Sequence, residues 1–298
     1  MRRPGLVLAI FILSGAAGLM YEVVWSRQLV LVFGNTTQAV ATILTGFFGG
    51  MAIGSFIGGR LADRVRSTLR MYGILELILV VVVLLTPITF RLLHEVYRAA
   101  FASLETQPGL LAVVRFGLAI LALAPATVLM GATLPTLTRH LSRDAHLSRA
   151  FARLYAANTF GAILGTIAAG FFLIELLGLT NTLVVGAGCS AIAGLVALAI
   201  DRSHPSEDPA PEEAVRPPAP PAEGVERSTG LARPNLALLV AFVSGLTSLA
   251  YQTLWNRLLS SGTGNSTYVF SAILGIFLIG IVCGAFVWNL IRPHVRRP

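Results

Sequence analysis

Residues 21–37 read YEVVWSRQLVLVFGNTT, and residues 251–267 read YQTLWNRLLSSGTGNST. A shift of 230 positions lays one on the other without a gap: Tyr21 on Tyr251, Trp25 on Trp255, Arg27 on Arg257, Gly34 on Gly264, Asn35 on Asn265 and Thr37 on Thr267. The register extends both ways, through Ser14-Gly15 with Ser244-Gly245 and Ile43-Leu44 with Ile273-Leu274. It continues to Phe47, Gly50, Gly54 and Phe56, which fall on Phe277, Gly280, Gly284 and Phe286. The chain therefore contains an internal repeat whose second copy starts again near residue 235.

The chain is 55% hydrophobic and 12% charged, with a mean hydropathy of +0.77. That is more apolar side chain than a soluble domain of this size buries, so the expected solvent is lipid. Apolar windows of about 20 residues, enough to cross roughly 30 Å of hydrocarbon, recur near 6–26, 38–58, 73–93, 110–135, 155–176, 180–200, 235–257 and 268–290. The expected fold is all-α and integral to the membrane, with about eight transmembrane helices. The start MRRPGLVLAIFILSGAAG has the look of a signal peptide, but its copy near residue 235 is internal.

All 22 basic residues are Arg, and the net charge is +8. With a cytoplasmic N-terminus, only Arg27, Arg91, Arg98, Arg115 and Arg257 fall on the outer side. This is the positive-inside asymmetry of a cell-membrane protein with both termini cytoplasmic. The basic balance thus reads as inner-membrane topology and not as nucleic-acid binding. Cys189 and Cys283 lie in separate apolar windows, which suits small apolar fillers and neither a disulfide framework nor a metal site.

Residues 201–233, DRSHPSEDPAPEEAVRPPAPPAEGVERSTGLAR, are rich in Pro, Glu and Ala. Such a stretch buries too little to offset its ordering entropy and reads as a disordered cytoplasmic linker. The expected organisation is a six-helix bundle over 1–200, the linker, and over 234–298 the first hairpin of a second repeat. A parallel-repeat transporter has this layout. Glycines at strict four-residue spacing, Gly46, Gly50, Gly54 and Gly58, with Gly161 and Gly165 on the fifth window, are expected to let helices approach closely.

Ionisable groups within apolar windows are the candidates for function, because they are expensive in hydrocarbon. Glu22 and Arg27 stand five apart, about 140° round a helix, and are poorly placed to pair. Glu22 and Arg115 lie at similar depths, which makes them the expected salt bridge or substrate site. The second copy has Gln252 where the first has Glu22, while Arg27 and Arg257 both remain. A retained Arg fits a structural role, and an acid kept by one copy fits a substrate or proton role. Glu76 is expected near the cytoplasmic end of the third helix, within reach of Asp63 and Arg64. Tyr21 and Trp25 are expected in an interfacial aromatic belt, and Glu175 as a solvated group at the outer surface. GTGNST at 262–267 lacks the Lys and the preceding strand of a phosphate cradle and reads as a turn. No nucleophile, metal cluster or general-base pair stands at a workable spacing, so the residues argue against an enzyme, a cofactor or a metal.

The loop GGRLADRVR, residues 58–66, resembles the loop between the second and third helices of the major facilitator superfamily. Gly59, Leu61, Asp63 and Arg64 match that family's pattern, whereas Arg66 stands where the pattern has Gly. The resemblance implies a gating loop that latches helix ends in one of the alternating-access states. The stretch from Ser14 to Arg64, with MGATLPTLTRHL at 130–141 and LYAANTFGAILGTIAAGFFL at 154–173, further resembles the membrane module of fused facilitator/spermidine-synthase-like proteins. That resemblance implies a polyamine connection and an aminopropyltransferase-like domain after the membrane part. The sequence contains none of that domain's strand and helix alternation, so the chain is expected either to be a piece of a longer fusion or to stand as eight helices. Two functions follow as expectations: transport or capture of a small polar or cationic metabolite such as a polyamine, or a non-transporting anchor for a synthase-like partner. The lipid bilayer and a second copy of the chain are the other expected partners.

Overall fold

The computed structural model describes residues 4–34, 37–142, 147–203, 234–263 and 267–291. In chain order they form α1 (Pro4–Phe33), α2 (Thr37–Ala62), α3 (Thr68–Leu104), α4 (Pro108–Ser142), α5 (Leu147–Ala168), a π turn (Ala169–Leu173), α6 (Ile174–Ser203), α7 (Pro234–Thr263) and α8 (Thr267–Ile291). Within hydrocarbon a backbone must satisfy its hydrogen bonds internally, and a helix does so segment by segment. Among the described residues, seven stretches are long and apolar enough to cross a membrane. The windows expected at 155–176 and 180–200 fall in one of them, Ala150–Ser203, which has 54 residues. It is broken at Gly178, whose φ of 80° and ψ of 176° lie outside the helical region. Only glycine takes such a φ without a steric penalty.

Of the segment expected as a linker, 201–203 continue α6, and 204–233 lie outside the described residues.

Helices α2 and α4 pack face to face, as do α1 and α5, while α3 contacts both α4 and α6. The glycines stand at the closest of these approaches. A Cβ on Gly54 would fall on the Val128 carbonyl, and one on Gly58 would fall on Ala132. Gly50 is covered by Thr127, whereas Gly46 meets Leu123 at an ordinary 3.5 Å. On the other pair, Gly161 and Gly165 face the carbonyls of Ile12 and Ala16. Lipid is as apolar as a leucine side chain, so close van der Waals contact of this kind supplies the helix association that water would otherwise drive.

The second copy is packed differently. Gly280 and Gly284 of α8 have nothing within 4 Å. Only 6% of the α7 window is buried, against 67% for α1. Gly161→Ala should therefore lower the melting temperature of purified protein in detergent, because overpacking costs about 1–3 kcal/mol. Gly280→Ala should leave it unchanged or slightly raised, because Ala is the better helix former by about 0.5–1 kcal/mol.

Candidate substrate cavity

A cavity of about 420 Å³ lies among α1, α2, α4, α5, α7 and α8, with Leu79 of α3 also in its lining. The two copies of the repeat line it with equivalent positions. Gly15, Gly18, Leu19 and Glu22 of α1 stand in the lining, and so do Gly245, Ser248, Leu249 and Gln252 of α7. Phe47, Phe48 and Met51 of α2 are likewise matched by Phe277, Leu278 and Ile281 of α8. The shift of 230 found in the sequence is thus a relation between two walls of one cavity.

Glu22 is the one charged residue among those lining residues. It is 2% exposed, and its Oε1 has no hydrogen-bond partner among the described residues. Gln252, at the equivalent position, has its Nε2 in the same condition. Buried polar atoms are ordinarily satisfied. An acceptor on one wall and a donor at the equivalent position of the other are thus both without a partner among the described residues. Ser14, Ser55, Thr133 and Asn158 add polar atoms to a lining that is otherwise mainly apolar.

The expected Glu22–Arg115 pair does not form. Arg115 donates to the Tyr97 hydroxyl at 2.7 Å and lies by the rings of Tyr97 and Phe33, 5.6 and 6.0 Å from their centroids. It takes no part in lining the cavity. Similar depth does not fix rotation about a helix axis, and Arg115 points toward α3. Arg27 is half-buried and Arg257 exposed, and neither lines the cavity.

Tyr21 and Trp25 are core residues and not an interfacial belt, at 0% and 1% exposed. They stack with centroids 5.5 Å apart, Tyr21 donates to Ser190 at 3.1 Å, and Trp25 donates to Thr86 at 3.3 Å. The reason is that α1 is enclosed by α5 and α6 and keeps little lipid-facing surface. Their equivalents Tyr251 and Trp255 are 59% and 49% exposed.

Glu76 lies away from the Asp63 loop. Ser14 of α1 donates to its Oε1, which places it inside the bundle between α1, α3 and α6. The helix begins at Thr68, ahead of the window expected from 73, so Glu76 stands about two turns inside it, and it faces inward. Asp63 instead pairs with Arg139 of α4 at 3.1 Å, and Arg64 is exposed. Gly59 is loosely covered, with Pro135 3.9 Å from where its Cβ would be. Beside this pair Arg70 of α3 meets Asp201 of α6 at 2.9 Å, and Ser67 donates to the same carboxylate. Sequence reasoning missed Arg139, Asp201 and Tyr97; a cation one turn from a helix end and an acid closing an apolar run were the available signals. Glu175 is not merely solvated, because it accepts from Tyr268 at 2.7 Å. Of GTGNST, residues 264–266 lie outside the described residues.

The bundle, its glycine-faced helix pairs and a cavity shared by two repeat copies define a multi-pass helical membrane protein of transporter-like build. The family profile described as Major Facilitator Superfamily matches residues 5–297, nearly the whole chain, and the chain belongs to that family. No curated protein and no solved structure matches it.

The two ion pairs near Ala62 and Ser203 should differ in weight. Asp201 is 2% exposed and held by two donors, so Asp201→Asn should cost roughly 1.5–3 kcal/mol in unfolding measurements in detergent. Asp63 and Arg139 are 61% and 39% exposed, so Asp63→Asn should cost less than about 1 kcal/mol, and less again at high salt.

Proposed function

We propose that this protein moves a small organic cation across the membrane, with Glu22 as the group that receives the positive charge. The observation that carries this reading is the position of Glu22 as the one charge in the lining of a mainly apolar cavity, with a carboxyl oxygen lacking a partner among the described residues. A carboxylate in such a medium needs a counter-charge. An organic cation supplies one and offers its apolar body to Phe47, Met51 and Leu278. One carboxylate compensates one charge, so a cation with a single ammonium and an apolar frame suits the cavity better than a polyamine with three or four. A polyamine remains the cargo that the resemblance to spermidine-synthase-like fusions supports, and its competition with an apolar monocation decides between them.

The same proposal takes Ala150–Ser203 as two crossings separated at Gly178, which makes eight in all: a six-helix bundle and the first hairpin of a second repeat. Both termini are then cytoplasmic, in accord with the distribution of arginines along the chain, and the membrane is the cell's inner membrane. Asp63 with Arg139 becomes a latch on the cytoplasmic side.

Proteoliposomes containing the purified protein should accumulate ethidium, and Glu22→Gln should reduce the uptake at least about tenfold, the equivalent of 1.4 kcal/mol, with the amount of folded protein unchanged. Unchanged uptake together with a lower melting temperature would instead assign Glu22 to helix packing and favour an anchoring role beside a synthase-like partner. Gln252→Glu places a second acid opposite Glu22. It should shift preference toward dications, read as stronger inhibition of ethidium uptake by putrescine.

A further inference from the structure

The cavity is polar at two levels, and only one of them carries a charge. At one end of the bundle a core cluster brings together Phe11 of α1, Leu137 of α4 and Leu154 of α5. About one helical turn inward from these stand Ser14, Thr133, Asn158 and Thr159, all of them in the cavity lining. Asn158 fixes the level, because its Nδ2 donates to the Phe11 carbonyl at 3.5 Å and a Cβ on Gly15 would fall on its backbone carbonyl. Glu22 and Gln252 form the other level. Glu22 lies two turns farther along α1 than Ser14, about 12 Å at 1.5 Å per residue. Between the two levels the lining consists mainly of Gly18, Leu19, Met51 and Met130, with Ser248 on α7.

The hydroxyls of the uncharged level have already placed their hydrogens. Thr133 donates to the Met130 carbonyl at 2.7 Å, and Thr159 donates to the Tyr155 carbonyl at 2.8 Å. Ser14 donates to Glu76. A hydroxyl has one hydrogen and two lone pairs, so what these groups have left is acceptor capacity, to which Asn158 adds an amide oxygen. Such a surface suits a guest group that brings a hydrogen of its own. It does not suit an ion, because Glu22 is the one charged residue in the lining and a buried charge without a counter-charge costs more than its hydrogen bonds return.

We infer that the cargo has two heads: a positive group that meets Glu22, and at the far end a neutral hydrogen-bond donor, a hydroxyl or an amide, seated against Thr133, Asn158 and Thr159. An apolar spacer of about 12 Å separates them. The inference rests on the transport reading for the cation at Glu22 and adds to it a second subsite and a length. A plain apolar cation leaves the second subsite without a partner. A cation with a second ammonium at that distance places charge where no acid stands.

The test is competition with ethidium uptake in proteoliposomes. The competitors are octyltrimethylammonium and the same ion with a hydroxyl on the last carbon of its chain, both permanently charged. The terminal hydroxyl should lower the concentration for half-inhibition about threefold to tenfold, the net worth of one hydrogen bond. In the double variant Thr133→Val, Thr159→Val, which keeps side-chain shape and removes both hydroxyls, this ratio should fall toward one. Partition of the two ions into lipid is the same for both proteins, so comparing ratios cancels it. Equal half-inhibition by the two ions in the unmodified protein would overturn the inference, and so would an unchanged ratio in the variant. If the double variant does not fold, Thr133→Val decides: a lower ratio supports the subsite and an unchanged one overturns it. If the unmodified protein takes up no ethidium, the transport reading fails by itself. The ratio is then read from the rise in melting temperature that each ion gives the purified protein in detergent; a preference for the hydroxylated ion that the variant loses supports the second subsite, and equal rises overturn it.

Discussion

The architecture depends on helices touching through their backbones. In lipid the association of two helices gains nothing from hiding apolar surface, so contact must be close to be worth making. Gly54 and Gly58 bring α2 onto Val128 and Ala132 of α4, and Gly161 and Gly165 bring α5 onto Ile12 and Ala16 of α1. These two seams fix four of the helices around the cavity. Gly15 performs a related task within the lining, lying against Asn158 of α5. A side chain in any of these places would separate the helices, and the position of Glu22 relative to α2 and α4 would change with the spacing.

The two ends of the bundle are closed by different forces. Around Ala62 and Ser203, ion pairs tie Asp63 to Arg139 and Arg70 to Asp201, connecting the start of α3 with α6 and the end of α2 with α4. At the opposite end the ties are largely aromatic: Tyr97 packs edge-on to Phe33 and accepts from Arg115, and Tyr268 reaches Glu175. Ionic strength weakens exposed ion pairs far more than aromatic contact. Conditions that leave one end closed can therefore loosen the other, an asymmetry of the kind an alternating pathway uses.

The repeat was the most legible feature, and it reached farther than a helix count. Because helical period is constant, an ungapped shift preserves not only helices but which residues share a face. Gly15, Leu19 and Glu22 therefore found their counterparts Gly245, Leu249 and Gln252 on the facing wall. What a repeat does not carry is the neighbourhood. Tyr21 and Tyr251 are the same residue on the same helical face, yet one is enclosed by α5 and α6 and the other is exposed. Arg115 was misplaced for a related reason: the depth of a residue follows from counting along a window, whereas its partner depends on rotation and on which helix stands next to it. Glu76 was misplaced because α3 begins at Thr68, ahead of its window. The break at Gly178 falls between the apolar windows read at 155–176 and 180–200, although one glycine among many in an apolar run gives no sign of its φ.

The unequal burial of α1 and α7 makes the cavity mechanically lopsided. The α1 wall is anchored by interhelical hydrogen bonds from Ser14, Tyr21 and Trp25, while only 6% of the α7 window is buried. On the transport reading proposed above, a guest would meet one wall packed into the bundle and one with little packing behind it, so that charge would be read against the α1 wall, where Glu22 stands, and size against the α7 wall.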